Sequence, residues 1–112
     1  MFELWYHFLM SNYFKVEISA ETKEQAKQIL LPLLEKKLVT GGQIINAPAT
    51  FLWKGEITDM DYCVINSFTL GNHKEAIIAE VKKVSVEEVP MISFFELDGN
   101  TELFHWIDET LK

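Results

Sequence analysis

Phe14, Val16 and Ile18 alternate with Lys15, Glu17 and Ser19. That two-residue period predicts a strand buried on one face. Downstream the period lengthens: Ala26, Ile29, Leu30, Leu33, Leu34 and Leu38 recur at helical spacing. Thr22 stands three residues ahead of Gln25. This is capping-box spacing, in which Thr22 accepts from the third helical amide and Gln25 reaches back. Pro32 falls inside the pattern and removes a backbone donor, so a kink or local adjustment is expected. Gly41-Gly42 is expected to close the helical region.

Residues 44–53 read as extended, with Pro48 favouring a bulge or an edge position. Lys54-Gly55 marks a turn, and residues 57–69 return as a second extended run, which makes a long hairpin. In that run Tyr62, Val64 and Asn66 face one way and Cys63, Ile65 and Ser67 the other. Asn72 and Glu75 repeat the cap spacing, ahead of an apolar stripe of Ala76, Ile77, Val81 and Val84. Residues 89–97 form a further strand, with Pro90 near its start. Gly99-Asn100-Thr101 leads into a last helix, with Leu103, Trp106, Ile107 and Leu111 expected inward.

The order strand, helix, strand, strand, helix, strand, helix is a split βαβ arrangement of the α+β class with an added C-terminal helix. The crossover rule favours a four-stranded antiparallel sheet with both main helices on one face. The other face is then expected to lie open. Phe2, Leu4, Tyr6 and Phe8 also alternate, so residues 1–9 are expected to be an N-terminal extension, either an extra strand or a surface arm. Residues 10–112 are expected to form a single domain.

Composition narrows the partners. The 112 residues carry 10 Lys and Arg against 17 Asp and Glu, a net charge of −7, which argues against nucleic acid or an anionic membrane surface. No Lys or Arg precedes Lys15, so the basic start of a signal peptide is missing, and the first apolar stretch is too short to span a bilayer. A cytoplasmic location is the expectation. A single cysteine, Cys63, excludes an intrachain disulfide and a cysteine-based zinc site, and its mid-strand position predicts a buried thiol.

Candidate chemistry is sparse. His105, Asp108 and Glu109 have a spacing that can grip a metal and that equally describes a solvated helix face. Glu56, Asp59 and Asp61, and the pair Glu87 and Glu88, could hold a hard cation weakly or be solvated surface. Gly41-Gly42 lacks the Lys-Ser/Thr of a phosphate loop, and no nucleophile elbow or zinc-protease motif occurs. Aromatic residues make up 12% of the chain. Of these, Phe51, Trp53 and Tyr62 on the hairpin are the candidates for an interface between subunits.

Several segments match one family in register. Phe51-Leu-Trp-Lys-Gly-Glu-Ile57 resembles the hairpin tip of the CutA divalent-cation tolerance proteins. Glu88-Val-Pro-Met-Ile92 resembles the segment that opens their last main strand, and Leu34-Glu-Lys-Lys-Leu38 their first-helix ending. Gly99-Asn100 followed by Phe104-His-Trp-Ile107 resembles their final turn and helix. The similarity runs over residues 14–111. It implies a ferredoxin-like fold with a long β-hairpin, and a homotrimer in which the hairpins reach neighbouring subunits. It implies a role in the response to metal ions and no enzymatic activity, with a divalent cation such as copper as the ligand and Glu88 as the surviving candidate to hold it. An architecture shared with PII-type signalling trimers implies the alternative, a sensor with a small molecule in the clefts between subunits. Three departures weigh against carrying metal binding over. The family cysteine after the first helix falls at Gly41 or a neighbour, the lysine ending the hairpin becomes Phe68, and the histidine-proline-tyrosine run becomes Ser85-Val86-Glu87.

Overall fold

A computed structural model describes residues 12–112. The expectations for residues 1–9 lie outside them. Four strands and three helices follow in the predicted order: β1 (Tyr13–Ala20), α1 (Lys23–Glu35), β2 (Gln43–Trp53), β3 (Glu56–Leu70), α2 (Lys74–Val84), β4 (Ile92–Glu96) and α3 (Thr101–Leu111). The sheet is antiparallel throughout, in the order β2-β3-β1-β4. No described helix is long and apolar enough to cross a membrane.

One sheet face meets α1 and α2. Val16, Ile18 and Ala20 of β1 and Cys63 and Ile65 of β3 pack with Ala26, Ile29, Leu30 and Leu33 of α1 and Ile77 and Val81 of α2. Ala76 and Leu34, placed in the apolar stripes by spacing, are exposed, because each lies at the margin of its helix's buried arc. The expectation that the second face lies open needs correction. Its end nearest Tyr13 is covered by α3, whose Ile107 and Leu111 pack against Leu70 with Phe68, Leu97 and Phe104 around them. Tyr13 stacks on Phe104 at 4.5 Å, and its hydroxyl donates to Asp108 at 2.7 Å. The rest of this face carries Lys15, Glu17, Val64 and Asn66, which stay half-buried. Trp106, expected inward, leaves the cluster and is 46% exposed.

The local signals form in part. Thr22 accepts from the Gln25 amide at 3.0 Å. The Gln25 side chain does not reach back. Its carbonyl oxygen accepts from Val86 N–H at 2.8 Å, a longer-range demand that overrides the local cap. Asn72 does not cap α2 either: Gly71–His73 form a 3₁₀ turn, and His73 takes the cap position without a side-chain bond. Helix α1 runs through Pro32 and stops at Glu35, well before Gly41-Gly42. Leu38 N–H returns to Leu33 O at 2.9 Å and Lys37 N–H to Leu34 O at 3.0 Å, a Schellman ending with Lys37 at φ 54°.

Strands β2 and β3 pair without offset from Gln43↔Asn66 to Trp53↔Glu56. Pro48 therefore sits on an edge strand and makes no bulge, since its missing donor faces away from β3. Lys54 and Gly55 both take positive φ, at 49° and 84°, as a tight primed turn requires. Pairing with β1 ends at Ala20↔Cys63, so the ribbon beyond it, residues 47–62, has only its own two strands. The fourth strand is shorter than predicted, starting at Ile92, because residues 85–91 are tied to side chains of β1 and α1.

Lys37 carries a β-carbon in a backbone region that disfavours one. Lys37→Gly is expected to stabilise the fold by about 0.5–1 kcal/mol. Urea midpoints at one protein concentration check this, with an upward shift and an unchanged slope as the expected result.

Candidate functional site

Two loops close over the sheet, and buried polar side chains hold both. The loop after α1 is tied by Thr69, whose hydroxyl donates to Leu38 O at 2.6 Å, and by Ser67, whose hydroxyl donates to Gly41 O. His73 Nδ1 also meets Leu38 O at 3.3 Å. The loop after α2 is tied by Gln25 and by Ser19. The Ser19 hydroxyl accepts from Met91 N–H at 2.9 Å and donates to Glu87 at 2.7 Å. Ser19, Gln25, Ser67 and Thr69 are the buried polar residues among those described, and each makes a hydrogen bond to a loop. Ser67 and Thr69 could have been picked from sequence, as hydroxyls at core-face positions of a strand. Ser19 and Gln25 could not, because their partners lie 61 to 72 residues away.

The three interface candidates come together on the ribbon. Phe51 and Tyr62 contact each other, with ring centroids 5.8 Å apart at 44°. Trp53 lies at the tip, 37% exposed, with Lys54 Nζ 5.4 Å from its ring. Glu88 stands on the loop after α2 and faces this tip, its carboxylate 3.4 Å from Lys54 Nζ. Leu52 and Ile57 beside the tip are 74% and 79% exposed.

Glu87 is the unusual group of the region. One carboxylate oxygen accepts from Ser19, and the other is buried with no partner among the described residues. Burial pushes its carboxyl above the usual range, opposed by the Ser19 hydrogen bond and reinforced by nearby Glu21. Burial and the same two glutamates push the Tyr62 phenol up. Asp108 is held below the usual carboxylate range by the Tyr13 hydroxyl and by Lys112, and Asp59 accepts from Thr50. Cys63 is buried, as its strand position predicts. Among the described residues no three His, Cys, Asp or Glu side chains gather closely enough to hold a metal ion. Glu88 alone, paired with a lysine, does not fit a resident divalent cation, which takes several oxygen or nitrogen ligands.

Residues 14–110 match the model of the CutA1 divalent ion tolerance protein family. The chain belongs to that family. The divalent-cation tolerance protein CutA of Archaeoglobus fulgidus is 30% identical over 98 residues, 87% of this chain and 96% of the relative. A solved structure, described as the periplasmic divalent cation tolerance protein CutA of the same organism, superposes with TM-score 0.85 at 29% identity, covering 89% and 99% of the two chains. The CutA1 structure from Ehrlichia chaffeensis shares the fold, with TM-score 0.83 at 22% identity over 92% of this chain and 98% of that one. Kinship does not carry the cytoplasmic expectation, since a relative is described as periplasmic. Gly41 and Phe68 line one groove on the open face, together with Lys15, Asn66 and Trp106.

The raised Glu87 sets a sign for pH dependence. A carboxyl whose native pKa lies above its unfolded value keeps its proton longer when folded. The native state therefore gains stability as pH falls through the native pKa toward the unfolded value, and pays for the buried charge at higher pH. Glu87→Gln keeps an acceptor for Ser19 and removes the charge. It is expected to raise the melting temperature at pH 7 and to match the native protein at pH 4, read by calorimetry at both pH values.

Proposed function

We propose that this CutA protein acts as a homotrimer in the response to divalent metal ions and catalyses no reaction of its own. The observation that supports it is the ribbon of residues 47–62, paired only with itself and tipped by exposed Leu52, Trp53 and Ile57. A two-stranded ribbon is marginal alone in water. It becomes stable when neighbouring copies cover its apolar tip and pair its free edge. Val86, Val89 and Met91 on the facing loop add exposed apolar surface at the same end of the sheet.

Two features support a non-catalytic reading. Cys63 is buried, and His73 is engaged with a backbone carbonyl. Glu87 is paired with a serine, but no base or oxyanion donor set stands with them among the residues bonded there. A cation held at Glu88 would take its remaining ligands from a second copy, because one subunit offers a single carboxylate there.

Light scattering on the purified chain is expected to give a mass near three times 13.0 kDa. Leu52→Asp with Ile57→Asp is expected to return it to 13.0 kDa. A wild-type mass of 13.0 kDa at micromolar concentration overturns the assembly. Cells that lack the protein are expected to grow more slowly than the parent in raised copper, and equal growth would remove the metal-response role.

A further inference from the structure

Strand β4 ends the sheet, with β1 on one side and no described strand on the other. Leu97 N–H donates to Tyr13 O at 2.9 Å, and Ser19 N–H donates to Met91 O at 3.0 Å. In an antiparallel ladder such bonded pairs alternate with unbonded ones. Ser93 and Phe95 therefore turn their N–H and C=O toward β1, and those of Ile92 and Phe94 point off the edge.

This edge lacks the usual protection. Edge strands are commonly blunted by Pro, Lys or a bulge. The run Ile-Ser-Phe-Phe-Glu holds neither residue, and its pairing with β1 has no bulge. The opposite edge, on β2, carries Pro48. None of the five residues of β4 is buried, although three are Ile or Phe. Phe95 is 49% exposed on the open face. On the other face Ile92 and Phe94 pack only partly against the core. Helix α2 borders them there, with Lys74 Nζ 5.7 Å from the Phe94 ring and Ile78, one turn on, half-buried.

A segment of this same chain matches the edge in polarity, length and place. Phe2, Leu4, Tyr6 and Phe8 alternate with Glu3, Trp5, His7 and Leu9. Eight extended residues span about 26 Å, more than the roughly 17 Å of β4. The chain enters the described fold beside the end of β4, bending at Asn12 before Tyr13 O takes the Leu97 amide. The steps from Leu9 to Tyr13 reach up to about 13 Å. Passing from β1 beyond β4 needs two strand spacings, about 10 Å. So short a tether sets an effective concentration on the order of millimolar, which favours the attached segment over a separate copy at micromolar concentration.

We propose that residues 2–9 add to the free edge of β4 as a further strand, parallel to β4. Phe2, Leu4, Tyr6 and Phe8 then lie on the helix-covered face beside Ile92 and Phe94, and Trp5 lies on the face of Phe95. The edge is the one opposite the ribbon in strand order, and the pairing does not depend on the assembly proposed above.

Hydrogen exchange of the full chain, read at the Ile92 and Phe94 amides, tests the pairing. Both amides are expected to be protected. Leu4→Asp with Tyr6→Asp is expected to speed their exchange at least about tenfold, while the Ile65 amide in the sheet centre stays slow and shows that the domain is folded. Glu3→Gln with His7→Gln, on the alternate face, is expected to leave the protection unchanged. A second copy is the rival occupant, so protection is expected to persist in the Leu52→Asp, Ile57→Asp variant. Fast exchange in the native chain overturns the proposal. So does protection that survives Leu4→Asp with Tyr6→Asp, an equal loss on Glu3→Gln with His7→Gln, or a loss in the Leu52→Asp, Ile57→Asp variant. Mass and exchange are read separately. A monomer with protected amides refutes the trimer alone, and a trimer with open amides refutes the added strand alone.

Discussion

Side chains alternate strictly along β3, and the longest strand of the sheet thereby serves two faces at once. Cys63, Ile65, Ser67 and Thr69 point into the core under α1 and α2. Tyr62, Val64, Asn66 and Phe68 point to the other face, where the groove and α3 lie. A slip of one residue would exchange the two sets, placing Asn66 in the core and Ile65 in water. The tight Lys54-Gly55 turn and the offset-free pairing with β2 prevent that slip. The strand is also longer than β1 can pair, so its outer half becomes the ribbon that projects beyond the sheet.

The core's polar members follow from the same alternation. Ser67 and Thr69 occupy core-face positions, and a buried hydroxyl without a partner is costly. Both reach the backbone of the loop after α1. In doing so they fix the rim of the groove, so a core requirement pre-forms a surface feature. Ser19 and Gln25 do the same for the loop after α2. That loop then carries Glu88 toward the ribbon tip and buries part of Glu87. Both loops are thus held by buried polar side chains, while the apolar core supplies the rigid background.

Membership in the CutA family fits this division. The fold is shared with solved CutA structures at 22% to 29% identity. Glu87 brings a carboxylate to a place where it is part-buried against Ser19.

Much of the scaffold was legible in the chain. The two-residue period set β1 and β3, helical spacing set α1 and α3, and Lys54-Gly55 set the turn, because these signals act over a few residues. Phe51, Trp53 and Tyr62 were recognisable as ribbon aromatics, and Cys63 as a buried thiol, by the same short-range reasoning. Tertiary structure decided the rest. Gln25 gave up its cap for an amide 61 residues away, and α1 ended at Glu35, with Lys37 turned to positive φ, as Leu38 returned to the core. Trp106 shares the apolar spacing of Ile107 and Leu111 but was left half in solvent, because Leu70 and its neighbours fill only part of the helix face. Local spacing determines which residues share a face. What covers that face, and which polar atoms find partners, depends on contacts between segments far apart in the chain.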